Sequence, residues 1–389
     1  MGVPPNQSTS MKLSQARYTG QSWSDYTDTP GFAPDRAQLV LGFGSRYLLE
    51  SAPVYESLRE RFPAAAIVLN STSGEIYQNR VWDDSVVVTA VEFEHTTVRA
   101  HQFDIADHRE SAHVGTSIAS ALDAPDLVAV FLISDGGRVN GTDLTAALNR
   151  ALGRPVPTSG GLAGDAARFE KTLVGLNQAP VAGKVVAVGL YGTRLRVGHG
   201  SRGGWDVFGP EREVTRSAYN TLYQLGDQQA LDLYKEYLGE YAAGLPSAAL
   251  LFPLALRTSP DSPPLVRTIL TIDEAERSMT FAGSLPEGAT VRFMTANFDR
   301  LIEASAAAAE TAHETLGQAP ELAILVSCVG RKLVLGERID EEVEVAREGF
   351  GAQTVLTGFY SYGEISPHTP GADCELHNQT MTITVFAEH

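Results

Sequence analysis

Leu127-Val-Ala-Val-Phe-Leu-Ile-Ser-Asp-Gly136 is an unbroken apolar run that stops abruptly at Ser, Asp and Gly. A run this short, with turn residues at its end, suits a strand buried on both faces of a sheet. Leu322-Ala-Ile-Leu-Val-Ser-Cys-Val-Gly330 repeats the pattern. Each run leads into a helical stretch, Asn140 to Leu152 in one case and Asp340 to Arg347 in the other. A glycine-led segment follows: Ser159-Gly-Gly-Leu-Ala-Gly-Asp165 in the first, Thr357-Gly-Phe-Tyr-Ser-Tyr-Gly-Glu364 in the second. Each copy then reaches an Asn-Gln pair, Asn177-Gln178 or Asn378-Gln379, before a closing strand. A fainter echo, Leu69-Asn-Ser-Thr-Ser-Gly-Glu75-Ile76, stands ahead of the β-branched run at Val86. The shared order of strand, helix, glycine-acid and Asn-Gln points to internal duplication. The expected fold is α/β, mixed sheets with flanking helices, in two similar halves.

Outward from these runs, strands and helices alternate. Gln38 to Gly44 reads as a strand entering a tight turn, and Val54, Leu58 and Phe62 recur at the four-residue spacing of a helix face. Phe298 to Leu316 is the longest helical stretch. Residues 1–35, rich in Ser, Thr, Pro, Gln and Gly, read as a partly ordered arm. The domains expected are then residues 36–210 and 211–389.

The 389 residues are 43% hydrophobic and 20% charged, the composition of a globular protein. Lys and Arg number 30 against 47 Asp and Glu, a net charge of −17, which repels phosphate backbones and argues against a nucleic-acid partner. The two cysteines, Cys328 and Cys374, form no Cys-x-x-Cys pair, so neither a disulfide scaffold nor a cysteine zinc ribbon is expected. Met1 to Leu13 is polar, and no run approaches the ~20 apolar residues of a membrane span. The expectation is a soluble, cytoplasmic protein with no membrane contact.

The Gly358 to Ile365 segment and the string Glu375-Leu-His-Asn-Gln-Thr-Met381 resemble the signature of the C-terminal half of the FIST sensory proteins. Ser159 to Asp165 resembles that of the N-terminal half, and the resemblance spans about residues 35–386. It implies a signal-input module that binds a small molecule, an amino acid-like metabolite or haem and nitric oxide. It also implies an output partner in trans, a histidine kinase or a cyclic-di-GMP enzyme, because no output domain follows within this sequence. In length and architecture the chain resembles the haem-binding, nitric-oxide-responsive branch.

Polar residues in otherwise apolar strands are the candidate ligand contacts, because burying them unpartnered costs roughly 1–3 kcal/mol each. His377 can ligate haem iron, hydrogen-bond a ligand, or tie strand ends together with Asn378 and Gln379. Glu364 and Asp165 follow glycines and either bind an amine or accept backbone N–H groups in a turn. Tyr360 and Tyr362, two apart, share a face on an extended segment. Ser134 ends a buried strand, where ligands of open α/β sheets gather, and Asn177 is the counterpart of Asn378. Residues 360–375, with Pro367, Pro370 and Gly371, read as a lid. There is no Gly-x-Ser-x-Gly elbow and no His-Glu-x-x-His helix, and Cys328 ends an apolar run; no enzymatic activity is expected.

Overall fold

The computed structural model describes residues 11–260, 264–369 and 371–389, apart from the Ser247 side chain. Its first unit holds β1 (Lys12–Tyr18), β2 (Thr27–Asp28), β3 (Leu39–Gly44), α1 (Arg46–Ser51), α2 (Val54–Arg61), β4 (Ala66–Ser71), β5 (Glu75–Tyr77), β6 (Arg80–Trp82) and β7 (Val86–Glu92). The second runs β8 (Thr97–Asp104), α3 (Ser111–Leu122), β9 (Leu127–Ser134), α4 (Gly141–Leu152), β10 (Thr158–Leu162), β11 (Val174–Leu176) and β12 (Lys184–Tyr191).

A third unit opens with β13 (Leu195–Arg202) and is then interrupted by a separate β domain. That insertion holds β14 (Asp206–Ala218), β15 (Thr221–Leu225), β16 (Gln228–Gln229), α5 (Ala230–Leu238), β17 (Leu254–Arg257), β18 (Leu265–Arg267), β19 (Ile269–Asp273), β20 (Ser278–Phe281) and β21 (Thr290–Thr295). The unit resumes with α6 (Phe298–Leu316), β22 (Leu322–Cys328), α7 (Val329–Leu335), α8 (Ile339–Phe350), β23 (Val355–Ser361), β24 (Gly363–Pro367), β25 (Cys374–His377) and β26 (Met381–Glu388).

The three units share one strand plan. In each, a central strand (β3, β9, β22) lies parallel to the strand after its helices (β4, β10, β23) and antiparallel to the closing strand (β7, β12, β26). The α/β class and the internal repeat expected from the sequence are what the chain forms. The copies around β9 and β22 are the duplicated pair, and the fainter echo at Glu75 belongs to a third copy around β3. Each unit also lends a short excursion to a neighbour: β5 pairs with β23, β24 with β10, and β11 with β4. These exchanges link the three sheets into a closed ring.

Side-chain alternation explains why the runs are apolar throughout. Leu39, Leu41 and Phe43 point to a central core with Phe131, Ile133, Ile324, Val326 and Phe359. Their neighbours Val40, Val130 and Leu132 face outward onto helices. A strand with a core on each face shows no polar alternation. The inserted domain has its own core around Leu231, Tyr234, Phe281 and Phe293.

Three expectations are corrected. The arm at 1–35 is not loose over its described part: β1 runs antiparallel to β7 and buries Met11, Leu13 and Ala16, while residues 1–10 lie outside the described residues. The supposed lid at 360–375 is the end of β23 and most of the β24–β25 hairpin, buried over most of its length; Pro370 lies outside the described residues. The boundary placed between residues 210 and 211 falls inside β14.

Candidate functional site

The polar string before the last strand faces inward. His377 pairs across the hairpin with Glu364 and brings Nε2 to 3.0 Å from the Ser366 carbonyl, and its ring stacks on His368 at 5.8 Å. Burial pushes its pKa down to about 3, so the ring is neutral. An axial haem ligand needs a free imidazole nitrogen facing open space. His377 lines neither of the two cavities described below, and its surroundings do not fit a haem. No group of His, Cys, Asp or Glu among the described residues is arranged to hold a metal ion.

Asn378 donates to the His377 carbonyl at 3.0 Å, and Gln379 donates to the Leu250 carbonyl at 3.3 Å. The side-chain oxygens of both lack partners. Glu364 accepts from Ser361 Oγ (2.7 Å), Thr380 N (3.1 Å) and Thr380 Oγ1 (2.9 Å). Burial still pushes its carboxyl up to about 8. Glu75, in the third copy, is held the same way by Thr72 and Ser85 and is likewise pushed up to about 8.

Asp165 takes N–H groups from Phe169, Glu170 and Lys171 (2.9, 3.2 and 3.0 Å), the Arg46 guanidinium at 3.0 Å, and the Tyr362 hydroxyl. Tyr360 and Tyr362 do not share a face: the chain leaves one sheet for another at Ser361–Gly363. Tyr360 donates to Glu342 in one core, while Tyr362 stacks on Phe169 at 4.4 Å beside a cleft. Ser134 is buried at the end of β9 with its hydroxyl unpartnered. Asn177 stands apart, accepting from Arg59 and from the Ile67 N–H at another sheet edge.

Asn177 lines a separate hollow at that edge, and two further hollows lie where the inserted domain meets the repeat core. β18 and β19 lean against the core with a cavity beside each. Beside β18 is a groove of about 570 Å³, bounded by α4 residues Thr142, Thr145 and Asn149, by Arg267, and by Glu375 and Leu376 of β25. Arg267 is only 2% exposed. Its guanidinium donates to the carbonyls of Ser284, Val266 and Leu376, each at 3.2 Å, and no carboxylate among the described residues lies within ion-pair distance. Burial pulls its pKa down to about 10, against the attraction of Glu375. A Cβ at Gly283 would crowd this side chain. Glu375 is partly buried, which raises its pKa, and its carboxylate accepts no hydrogen bond among the described residues. The groove is thus lined by charges of both signs, Arg150, Arg154 and Arg267 against Asp373 and Glu375, and Arg267 and Glu375 form no ion pair with each other.

Beside β19 is an apolar cleft of about 660 Å³, reaching Cys328, Gly330 and Tyr362 at the carboxyl ends of the core strands. Sequence reasoning missed Arg267, Phe169 and Thr268. Arg267 stands in a stretch legible only as a strand, and the apolar pattern carried no sign that its guanidinium turns inward.

A FIST N domain model matches residues 38–228, and a FIST C domain model matches residues 230–367. The chain belongs to the FIST family. FIST domains are associated with small-ligand sensing in signal transduction, and this FIST chain shares that class. None of the curated proteins compared matches it. Among solved structures it is similar to a cyanuric acid hydrolase from A. caulinodans, at 10% identity and a TM-score of 0.38, covering 97% of this chain and 99% of that one. A second structure, described as a cyanuric acid hydrolase arising by structural concatenation, matches at 10% identity and a TM-score of 0.36, covering 97% and 100%. The expectation that this chain is no enzyme is withdrawn. A likeness at this level assigns no reaction to the FIST chain. Among the described residues, no helix is long and apolar enough to cross a membrane.

Proposed function

We propose that this FIST protein senses an amino acid-like metabolite, held in the groove between β18 and β25, and signals to a separate partner such as a histidine kinase or a cyclic-di-GMP enzyme. The observation that carries the reading is Arg267: a buried guanidinium, bonded among the described residues only to carbonyls, on the wall of an open groove. A charge taken out of water costs several kcal/mol unless it is paired, and a ligand carboxylate supplies the missing countercharge. Glu375 supplies the complementary contact for an ammonium group. The groove volume falls in the range of small-molecule sites and leaves room for a side chain.

Such a ligand joins an edge strand of the inserted domain to an edge strand of the core. It alters the partner only if it binds one arrangement of the two domains better than the other. The test is a thermal-shift and calorimetric screen of free amino acids. At least one is expected to raise the melting temperature and to bind at least about tenfold more weakly to Glu375→Gln and Arg267→Met. If no amino acid shifts the wild-type melt, or if Glu375→Gln binds as well as wild type, the reading is wrong.

A further inference from the structure

We propose that the cleft beside β19 is a second ligand site, one that takes an uncharged, flat, apolar molecule with a single hydrogen-bonding group. It lies across the inserted strand segment from the groove and differs from it in chemistry. Among the described residues no charged side chain lines it; its walls are Leu250, Ile269, Leu270, Val329 and Leu333, with Thr268 and Thr271. A carboxylate or ammonium entering it loses hydration and finds no countercharge, so amino acids are excluded. Its volume of about 660 Å³ matches sites for small organic ligands.

Two features point to an occupant. The first is an aromatic wall. Phe169 stacks on Tyr362 with ring centroids 4.4 Å apart and planes inclined by 19°, and half of Phe169 remains exposed to the cleft region. Phe169 also sits at φ +57°, a conformation that bulky residues rarely adopt. Its N–H is bonded to the Asp165 carboxylate and the Tyr362 hydroxyl, which hold the strained turn in place. Strain of that kind, maintained to present an exposed ring, marks a residue held for contact. The second feature is Thr268, which lines the cleft, is 5% exposed, and has a hydroxyl with no hydrogen-bond partner. A hydroxyl can donate or accept, so it fits a carbonyl, phenol or amine group on the guest. Cys328 lies in the wall, but burial raises its pKa, so the thiol stays protonated and binding is non-covalent.

The probe is N-phenyl-1-naphthylamine, an uncharged aromatic amine whose fluorescence rises in apolar surroundings, titrated into the full chain. Saturable enhancement is expected. Affinity should fall at least about tenfold in Leu333→Glu, which places a charge at the half-exposed mouth, and in Phe169→Gly, which removes the stacking wall. Phe169→Gly separates contact from scaffolding: glycine accepts a positive φ, so its unfolding midpoint should match or exceed wild type while binding drops. Thr268→Val should weaken the probe several-fold by leaving its N–H without an acceptor. The proposal is overturned if the signal does not saturate, if neither Leu333→Glu nor Phe169→Gly changes it, or if a sulfonated analogue binds equally well.

Discussion

Glu364 shows how much a single buried carboxyl can decide. Two hydroxyls and one N–H grip it, yet burial outweighs them and lifts its pKa from 4.5 to about 8. The folded state therefore keeps a proton that the unfolded chain releases above pH 4.5. Its contribution to stability is complete below that value and is lost as pH rises toward about 8. Glu364→Gln, which cannot titrate, should cost about 1–2 kcal/mol near pH 5 through poorer hydrogen bonding. The deficit should shrink or reverse by about pH 9 in urea unfolding. A difference between the two proteins that stays constant across that range would show that Glu364 is already ionised in the fold. The glycine-acid motif was legible in the sequence; that it closes on Ser361 and Thr380 was not, because Thr380 reaches it only through the β24–β25 hairpin.

At the scale of elements, the parallel strand pairs are held so close that side chains are excluded at matching places. A Cβ at Gly160 would overlap the Leu132 carbonyl, and one at Gly358 would overlap the Leu325 carbonyl. The two sites are counterparts in the second and third units, facing Leu132 in β9 and Leu325 in β22. Gly358→Ala should destabilise by about 3 kcal/mol, measured by denaturant unfolding, because backbone on both sides must move. A change below about 1 kcal/mol would mean that the strands separate easily. The helices α3 and α6 were readable to the residue, since each has one apolar face and a long run. β1 was not readable: Lys12 to Tyr18 looks polar, yet Ser14 and Gln15 are both buried in the fold. Gln15 donates to Thr89 and to the Leu356 carbonyl, both remote in sequence.

For the whole molecule, the arrangement that counts is the inserted β domain resting on a ring of three units. Arg331, paired with Glu342 at 2.8 Å in full burial, also donates to the Gly203 carbonyl in the linker and so fastens the insertion at its root. Away from that root, β18 and β25 meet through the Arg267 bond to the Leu376 carbonyl. An amino acid bound in the groove should slow amide exchange in Leu265–Arg267 and Cys374–His377 at least about tenfold, leaving the core strands β9 and β22 unchanged. Uniform protection, or none, would mean that the ligand does not bridge the domains.

The sequence by itself determined the α/β class, the repeat and the family. Those rest on local signals: apolar runs, helical spacing, and a glycine-acid turn that each copy needs for its own backbone. Tertiary structure alone decided which polar residues face a cavity. His377, Asn378 and Gln379 are turned into protein by the exchanged hairpin, while Arg267 and Phe169 reach open space because an inserted domain comes to rest beside them. Whether a side chain meets water, protein or a guest depends on contacts made far along the chain, and no local pattern records them.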